Sequence, residues 1–374
     1  MMQRISLYPI AFVLILHSIS CSNRISNLLQ NDAWPTFRRD QLNSGDSVEQ
    51  LTLPLQLSLF VELPETIRST VAVNDQKLFV ADWSGTIYCI DIPSSAITWK
   101  AQTHGFITGS PTLVADRLII GSCDSSIYAF SLQTGELLWQ LQTGLLVISS
   151  PQVSDNLAVC GSNDDHVYAF DWRTGNLVWK YKTEGFISST AALHKGRLYV
   201  GSGEGALYCL RLKNGEFIWK FKTEDAITAS PLIAENKLFF GDYAGWFHAL
   251  SLLDGREIWS VQCPKKIDAS ATYANGKIFW ADMSGNLYAA VAETGAPLWQ
   301  FPAAGPIISS PLASPKYLYF ARYSPGRIFL IDQNSGKLLW SFGVEGDVYA
   351  SPVMYRGQLF IGTEKGKLYG FTFK

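Results

Sequence analysis

Several features that would make a function easy to read are scarce in this chain. Charge of one sign is missing: 30 Lys and Arg stand against 32 Asp and Glu, a formal net charge of −2. Binding to a nucleic-acid backbone therefore has no electrostatic basis, and no block of like charges marks an interaction tail. Histidine is rare as well. His104, His166, His194 and His248 fall at four different positions of the repeat described below, so they do not converge as metal ligands would. Neither a G-x-S-x-G elbow nor a P-loop occurs. Beyond the first 21 residues no stretch sustains a helical period, which excludes helical architectures.

The one long apolar run is N-terminal. MMQRISLYPIAFVLILHSISC places Arg4 before an apolar stretch from Ile5 to Leu16 and ends in small residues at Cys21. It is short for a membrane span and reads as an export signal. Ser18-Ile19-Ser20-Cys21 resembles the lipobox of bacterial lipoproteins, with Ser18 where a leucine is usual, so Cys21 is the candidate lipidation site. The expected division is a signal over 1–21, a linker and lead-in over 22–50 and one folded domain over 51–374. Export permits disulfides, yet the remaining cysteines predict none. Cys89 and Cys209 occupy a repeat position otherwise held by alanine, and Cys160 lies in a core row. Cys123 and Cys263 sit in loops of distant repeats.

What the chain has in abundance is a period. Tryptophans recur at Trp99, Trp139, Trp179, Trp219, Trp259, Trp299 and Trp340, each except the first preceded four residues earlier by glycine, with Ser95 in that place before Trp99. A second marker is a serine before a small residue or proline: Ser69, Ser110, Ser150, Ser189, Ser230, Ser270, Ser310 and Ser351. Within one period four short apolar runs are separated by Gly- and Asn-rich turns, as in residues 186–220. This is a four-stranded antiparallel meander, the unit of a β-propeller blade. Eight first strands but only seven tryptophan-marked fourth strands are present. Residues 55–61, with Leu59 forty residues before Trp99, are predicted to complete the last blade and close an all-β, eight-bladed ring. The tryptophans then read as structural wedges between blades.

The segment AFDWRTGNLVW carries a specific resemblance. Ala169, Asp171, Thr174, Gly175 and Trp179 match the A-x-D-x-x-T-G-x-x-x-W repeat, so residues 34–374 resemble the PQQ-type propellers named after quinoprotein dehydrogenases. WPTFRRDQLNSG, from Trp34 to Gly45, is similar to the lead-in before the first blade in such proteins. The resemblance implies one of two roles. Quinoprotein dehydrogenases hold pyrroloquinoline quinone (PQQ) and Ca²⁺ on the propeller axis. BamB-like lipoproteins are non-catalytic scaffolds of the outer-membrane barrel-assembly machinery. The length, close to a bare ring, and the absence of a vicinal Cys-Cys pair favour the second.

The expected inner row two residues before each marker serine reads Ile67, Thr108, Ile148, Ile187, Thr228, Asp268, Ile308 and Tyr349; the next row begins with Arg68. Arg68 and Asp268 are the charged channel candidates. One carboxylate is a poor start for a Ca²⁺ site, which takes six to eight oxygens, so neither a catalytic residue nor a cofactor is expected. Recognition is expected on loops. Trp83, Tyr243, Trp246, Met283, Arg322 and Tyr323, at or beside turns between second and third strands, are candidates for an exposed partner-binding patch. The reading is an exported, lipid-anchored scaffold binding envelope proteins on the periplasmic side of the outer membrane or elsewhere in the envelope. Its alternatives are a quinoprotein-like redox enzyme and a polysaccharide- or ligand-binding propeller.

Overall fold

Each repeat folds where its sequence changes chemistry. In blade three the strands Gln152–Ser154, Leu157–Gly161, His166–Asp171 and Leu177–Lys182 are joined by tight turns and hydrogen-bonded in chain order. Their two middle strands are covered on both faces by neighbouring blades and are continuous apolar runs. The outer strand has a free edge and alternates in exposure. A computed structural model describes residues 33–49, 51 and 53–373. Within it eight such sheets form the propeller. Cys21 and the signal region lie outside the described residues.

The ring closes as the strand count predicts. Leu55–Glu62 pairs antiparallel with Lys367–Phe373, giving blade eight one strand from the N-terminal part of the chain and three from the C-terminal part.

Blade-to-blade adhesion rests on the tryptophan and the glycine together. In seven blades the outer strand carries a β-bulge immediately before its tryptophan, for example between the pairs Phe170–Leu177 and Ala169–Trp179. The ring then lies against the turn of the following blade. A Cβ on Gly175 would stand 2.7 Å from the Trp139 ring, and one on Gly215 2.7 Å from Trp179. Both glycines have positive φ, +75° and +71°. In five blades the indole N–H reaches a carbonyl in the same following blade, as where Trp139 bonds Trp172 O at 3.1 Å and Trp179 bonds Leu212 O at 2.9 Å, whereas the buried Trp219 N–H has no hydrogen-bond partner among the described residues. Where blade eight has Leu59 instead, the next turn has Ser95 at φ +57° instead of glycine.

A second adhesion system surrounds the axis. The N–H of Thr70 donates to Ser110 Oγ, and the same bond runs through Ser150, Thr190, Ser230, Ser270, Ser310 and Ser351. The N–H of Ser351 donates to Thr70 Oγ1, closing a circle of eight bonds of 2.9–3.1 Å. In blades one and four the marker expected at Ser69 and Ser189 is therefore shifted by one residue. Ser69 and Ser189 instead bond their own second strands, at Ala81 O and Gly201 O. Ile67 and Ile187, expected on the axis, are wholly buried against Gly362 and Gly161; Arg68 and Ser188 take their places.

Residues 33–49, assigned by sequence to the lead-in, are an integral part of the ring. Ala33–Trp34 adds a fifth strand to blade one. The chain then arcs across one end of the axis and touches every other blade. Leu113 N donates to Pro35 O, Leu193 N to Gln41 O, Ile233 N to Leu42 O and Ala313 N to Gly45 O. Gln41 reaches Val153 O, Thr272 Oγ1 reaches Ser44 O, and Gly357 N donates to Glu49. The buried Arg38 guanidinium donates to Pro311 O at 2.6 Å and to Ala271 O, and Asn43 donates to Thr190 O and Pro231 O.

Candidate functional site

Because the lead-in covers one end, the axis is a blind funnel rather than a pore. Its cavity of about 310 Å³ has Phe37 at the lead-in end and the eight-hydroxyl circle around its wall. Towards the open mouth comes the row Arg68, Thr108, Ile148, Ser188, Thr228, Asp268, Ile308 and Tyr349.

The rim brings together residues far apart in sequence. Arg68 Nε donates to Glu364 Oε1 at 2.6 Å, and its guanidinium carbon sits 3.9 Å from the Trp83 ring centroid and 5.2 Å from that of Tyr349. Trp83 is stacked on Phe106 at 5.0 Å. Tyr323 donates to the other oxygen of Glu364 at 3.1 Å. Across the funnel Asp268 Oδ1 accepts from Thr228 at 2.8 Å and from Tyr243 at 3.2 Å, and Lys266 Nζ lies 3.9 Å from the Tyr243 ring centroid. Although its ring edge is exposed, desolvation of the hydroxyl within the funnel mouth pushes the Tyr349 phenol up to about 12, with Asp268 and Tyr243 adding to the shift. The phenol therefore stays neutral at physiological pH.

Five of the candidates converge on this rim: Arg68, Trp83, Tyr243, Asp268 and Tyr323. The others do not line the funnel. Trp246 lies on the third strand of blade five beside His248. Met283 is held in its turn by a backbone bond to Lys266 O. Arg322 ties its own loop through Pro325 O and joins it to the connection after blade six through Ala303 O. Nor are the aromatic candidates and Met283 exposed tips; Trp83, Tyr243, Trp246, Met283 and Tyr323 are all half-buried. The exposed apolar side chains near the mouth are Phe106, Leu145, Phe186 and Tyr349. Thr70, Thr190 and Phe37 were missed on the axis. Threonine at a position otherwise held by serine was the available signal for the first two.

Cysteine and histidine add no second site. The five described cysteines are free and buried. His248, which replaces the tyrosine of its row, is held between Glu257 at 2.7 Å and Asp242 at 3.4 Å. Among the described residues no group of three or more His, Cys, Asp or Glu could hold a metal ion.

Fold and axis define a PQQ-type eight-bladed propeller. Residues 154–374, more than half of the chain, match the family profile described as beta-alanine-activating enzyme, beta-propeller, and the chain belongs to that propeller family. Residues 42–185 match the profile of outer membrane protein assembly factor BamB. No protein of curated function matches the chain in sequence. Among solved structures, BamB from Moraxella catarrhalis superposes with a TM-score of 0.76 at 16% identity, covering 86% of this chain and 100% of that one. A europium-containing methanol dehydrogenase gives 0.83 at 12%, covering 94% and 100%. The quinohemoprotein alcohol dehydrogenase of Comamonas testosteroni gives 0.80 at 14%, covering 95% and 82%. At these identities the likeness is one of fold.

The quinone–Ca²⁺ pair implied by the dehydrogenases does not fit this funnel. A Ca²⁺ ion needs several carboxylate or carbonyl oxygens. The wall row offers one carboxylate, Asp268, with one oxygen already engaged by two hydroxyls. Glu364 at the rim is held by Arg68 and Tyr323.

Proposed function

We propose that the protein is a non-catalytic scaffold of the bacterial cell envelope, exported and anchored through a lipid on Cys21, that binds proteins of the outer-membrane barrel-assembly machinery through its open face. The observation that carries this reading is the rim. Aromatic and charged side chains on rigid turns, with Arg68, Trp83 and Tyr323 gathered about Glu364 on one side of the funnel and Tyr243 with Lys266 on the other, form a preorganised recognition surface. The match of residues 42–185 to the BamB profile supports the same role. The donor set on the axis speaks against the quinoprotein alternative.

The test is a crosslinked pull-down of the tagged full-length protein from membranes of its own host. A barrel-assembly subunit should be recovered, and Tyr243→Ala or Tyr323→Ala should reduce its yield with the fold intact. The scaffold reading fails if no envelope protein is enriched over a control lipoprotein. Cys21→Ser should release a folded protein into the soluble fraction; a variant that still sediments with membranes would remove the lipid anchor from the proposal.

A further inference from the structure

The polar groups of the funnel wall are incompletely paired, and this points to a ligand. Each of the eight ring hydroxyl oxygens accepts a neighbouring N–H, while its own proton has no acceptor among the described residues. All eight residues are more than nine-tenths buried, and all line the cavity. Thr108 Oγ1 and Ser188 Oγ, on the same wall, have no hydrogen-bond partner among the described residues. At the rim Arg68 uses its Nε on Glu364, and its Nη groups have no hydrogen-bond acceptor among the described residues. Each collar oxygen keeps one lone pair beside its proton, and of Asp268 only Oδ1 is engaged, so the wall presents hydroxyls able to donate and accept around one cation and one carboxylate. Buried polar groups are ordinarily paired, so the occupant carries groups that both accept and donate.

We propose that the funnel binds a small sugar acid. A carboxylate suits the Arg68 Nη groups, since charge-assisted bonds to guanidinium are the strongest available. Ligand hydroxyls suit the collar, because a hydroxyl both donates and accepts, and one of them donates to Asp268. The exposed rings of Tyr349 and Phe186 at the mouth offer apolar faces to the C–H side of a sugar ring. A volume of about 310 Å³ lies at the small end of ligand sites, the size for a monosaccharide rather than an extended chain. The ligand occupies the interior and shares Arg68 with the rim proposed to meet a protein partner, so the titration below, which contains no partner, tests it separately from the scaffold reading.

Isothermal titration of the full-length protein with D-glucuronate and, separately, with D-glucose tests the assignment. One saturable glucuronate site is expected, with glucose weaker by about tenfold or more and R68Q costing glucuronate a similar factor. Ile148→Trp fills the funnel without touching a charged group and should abolish binding. A thermal unfolding transition unchanged in both variants shows that the loss is not misfolding. The proposal is overturned if glucuronate shows no saturable binding at millimolar concentration, if glucose binds equally well, or if binding survives Ile148→Trp.

Discussion

A tryptophan packed on a glycine of the next blade is the repeating joint of this ring. Its energetics divide between burial of the indole, a hydrogen bond to a carbonyl and the room left by the missing Cβ. Gly175→Ala should cost about 2 kcal/mol in chemical denaturation, since it forces a methyl group into the Trp139 ring at a positive φ. The joint at Leu59 and Ser95 supplies a sharper test. Leu59→Trp alone should destabilise because the indole meets the Ser95 side chain, and Ser95→Gly should rescue it with a coupling of about 1 kcal/mol. A double-mutant cycle with additive effects would mean that the two positions do not read each other. On the axis, Ser270→Ala leaves the Ser230 N–H without its acceptor and should cost about 1–3 kcal/mol in the same assay.

At the scale of elements, the lead-in and the turns between second and third strands do more than connect. Arg38 is buried with its guanidinium on two carbonyls of blades six and seven. Arg38→Leu should cost about 3 kcal/mol and accelerate amide exchange across residues 34–47, with the outer strands little changed. The turns hold a repeated tyrosine–carboxylate pair whose acid shifts position. Tyr88 donates to Asp82 at the start of its turn, at 2.8 Å; in blade two, where Ser122 opens the turn, Tyr128 reaches Asp124 two residues later, also at 2.8 Å. Burial and the adjacent carboxylate push both phenols up to about 12 from an ordinary value near 10. The unfolded chain therefore loses these protons first. Stability should be full below pH 10 and fall as pH rises from there to 12, with tyrosinate absorbance appearing together with unfolding. Phenols that titrate near 10 while the fold persists would contradict this.

For the whole molecule, closure by Leu55–Glu62 joins the two ends of the chain in one blade, so that opening the ring exposes two sheet edges at once. Deleting residues 1–62 removes that strand and the lead-in together. The product should self-associate in size-exclusion chromatography and lose its cooperative unfolding transition. A monomeric, cooperatively folding product would show that seven blades and a three-stranded remnant suffice.

The blade count, the four-strand unit and the closing strand were legible in the sequence because each rests on spacing along the chain. Strand, turn and edge are local, and a period of forty residues repeats them until the pattern is unmistakable. Single positions on the axis were less legible. A shift of one residue at Thr70 and Thr190 exchanges wall for core, since alternate residues of a strand face opposite ways, and the serines beside them concealed it. The funnel was decided only by tertiary structure. Its floor comes from a segment that looks like a linker, and its rim joins Arg68 to Glu364 across 296 residues. Eight hydroxyls become one collar only when eight strands converge on a common axis, and no spacing along the chain encodes which of their protons is left without an acceptor.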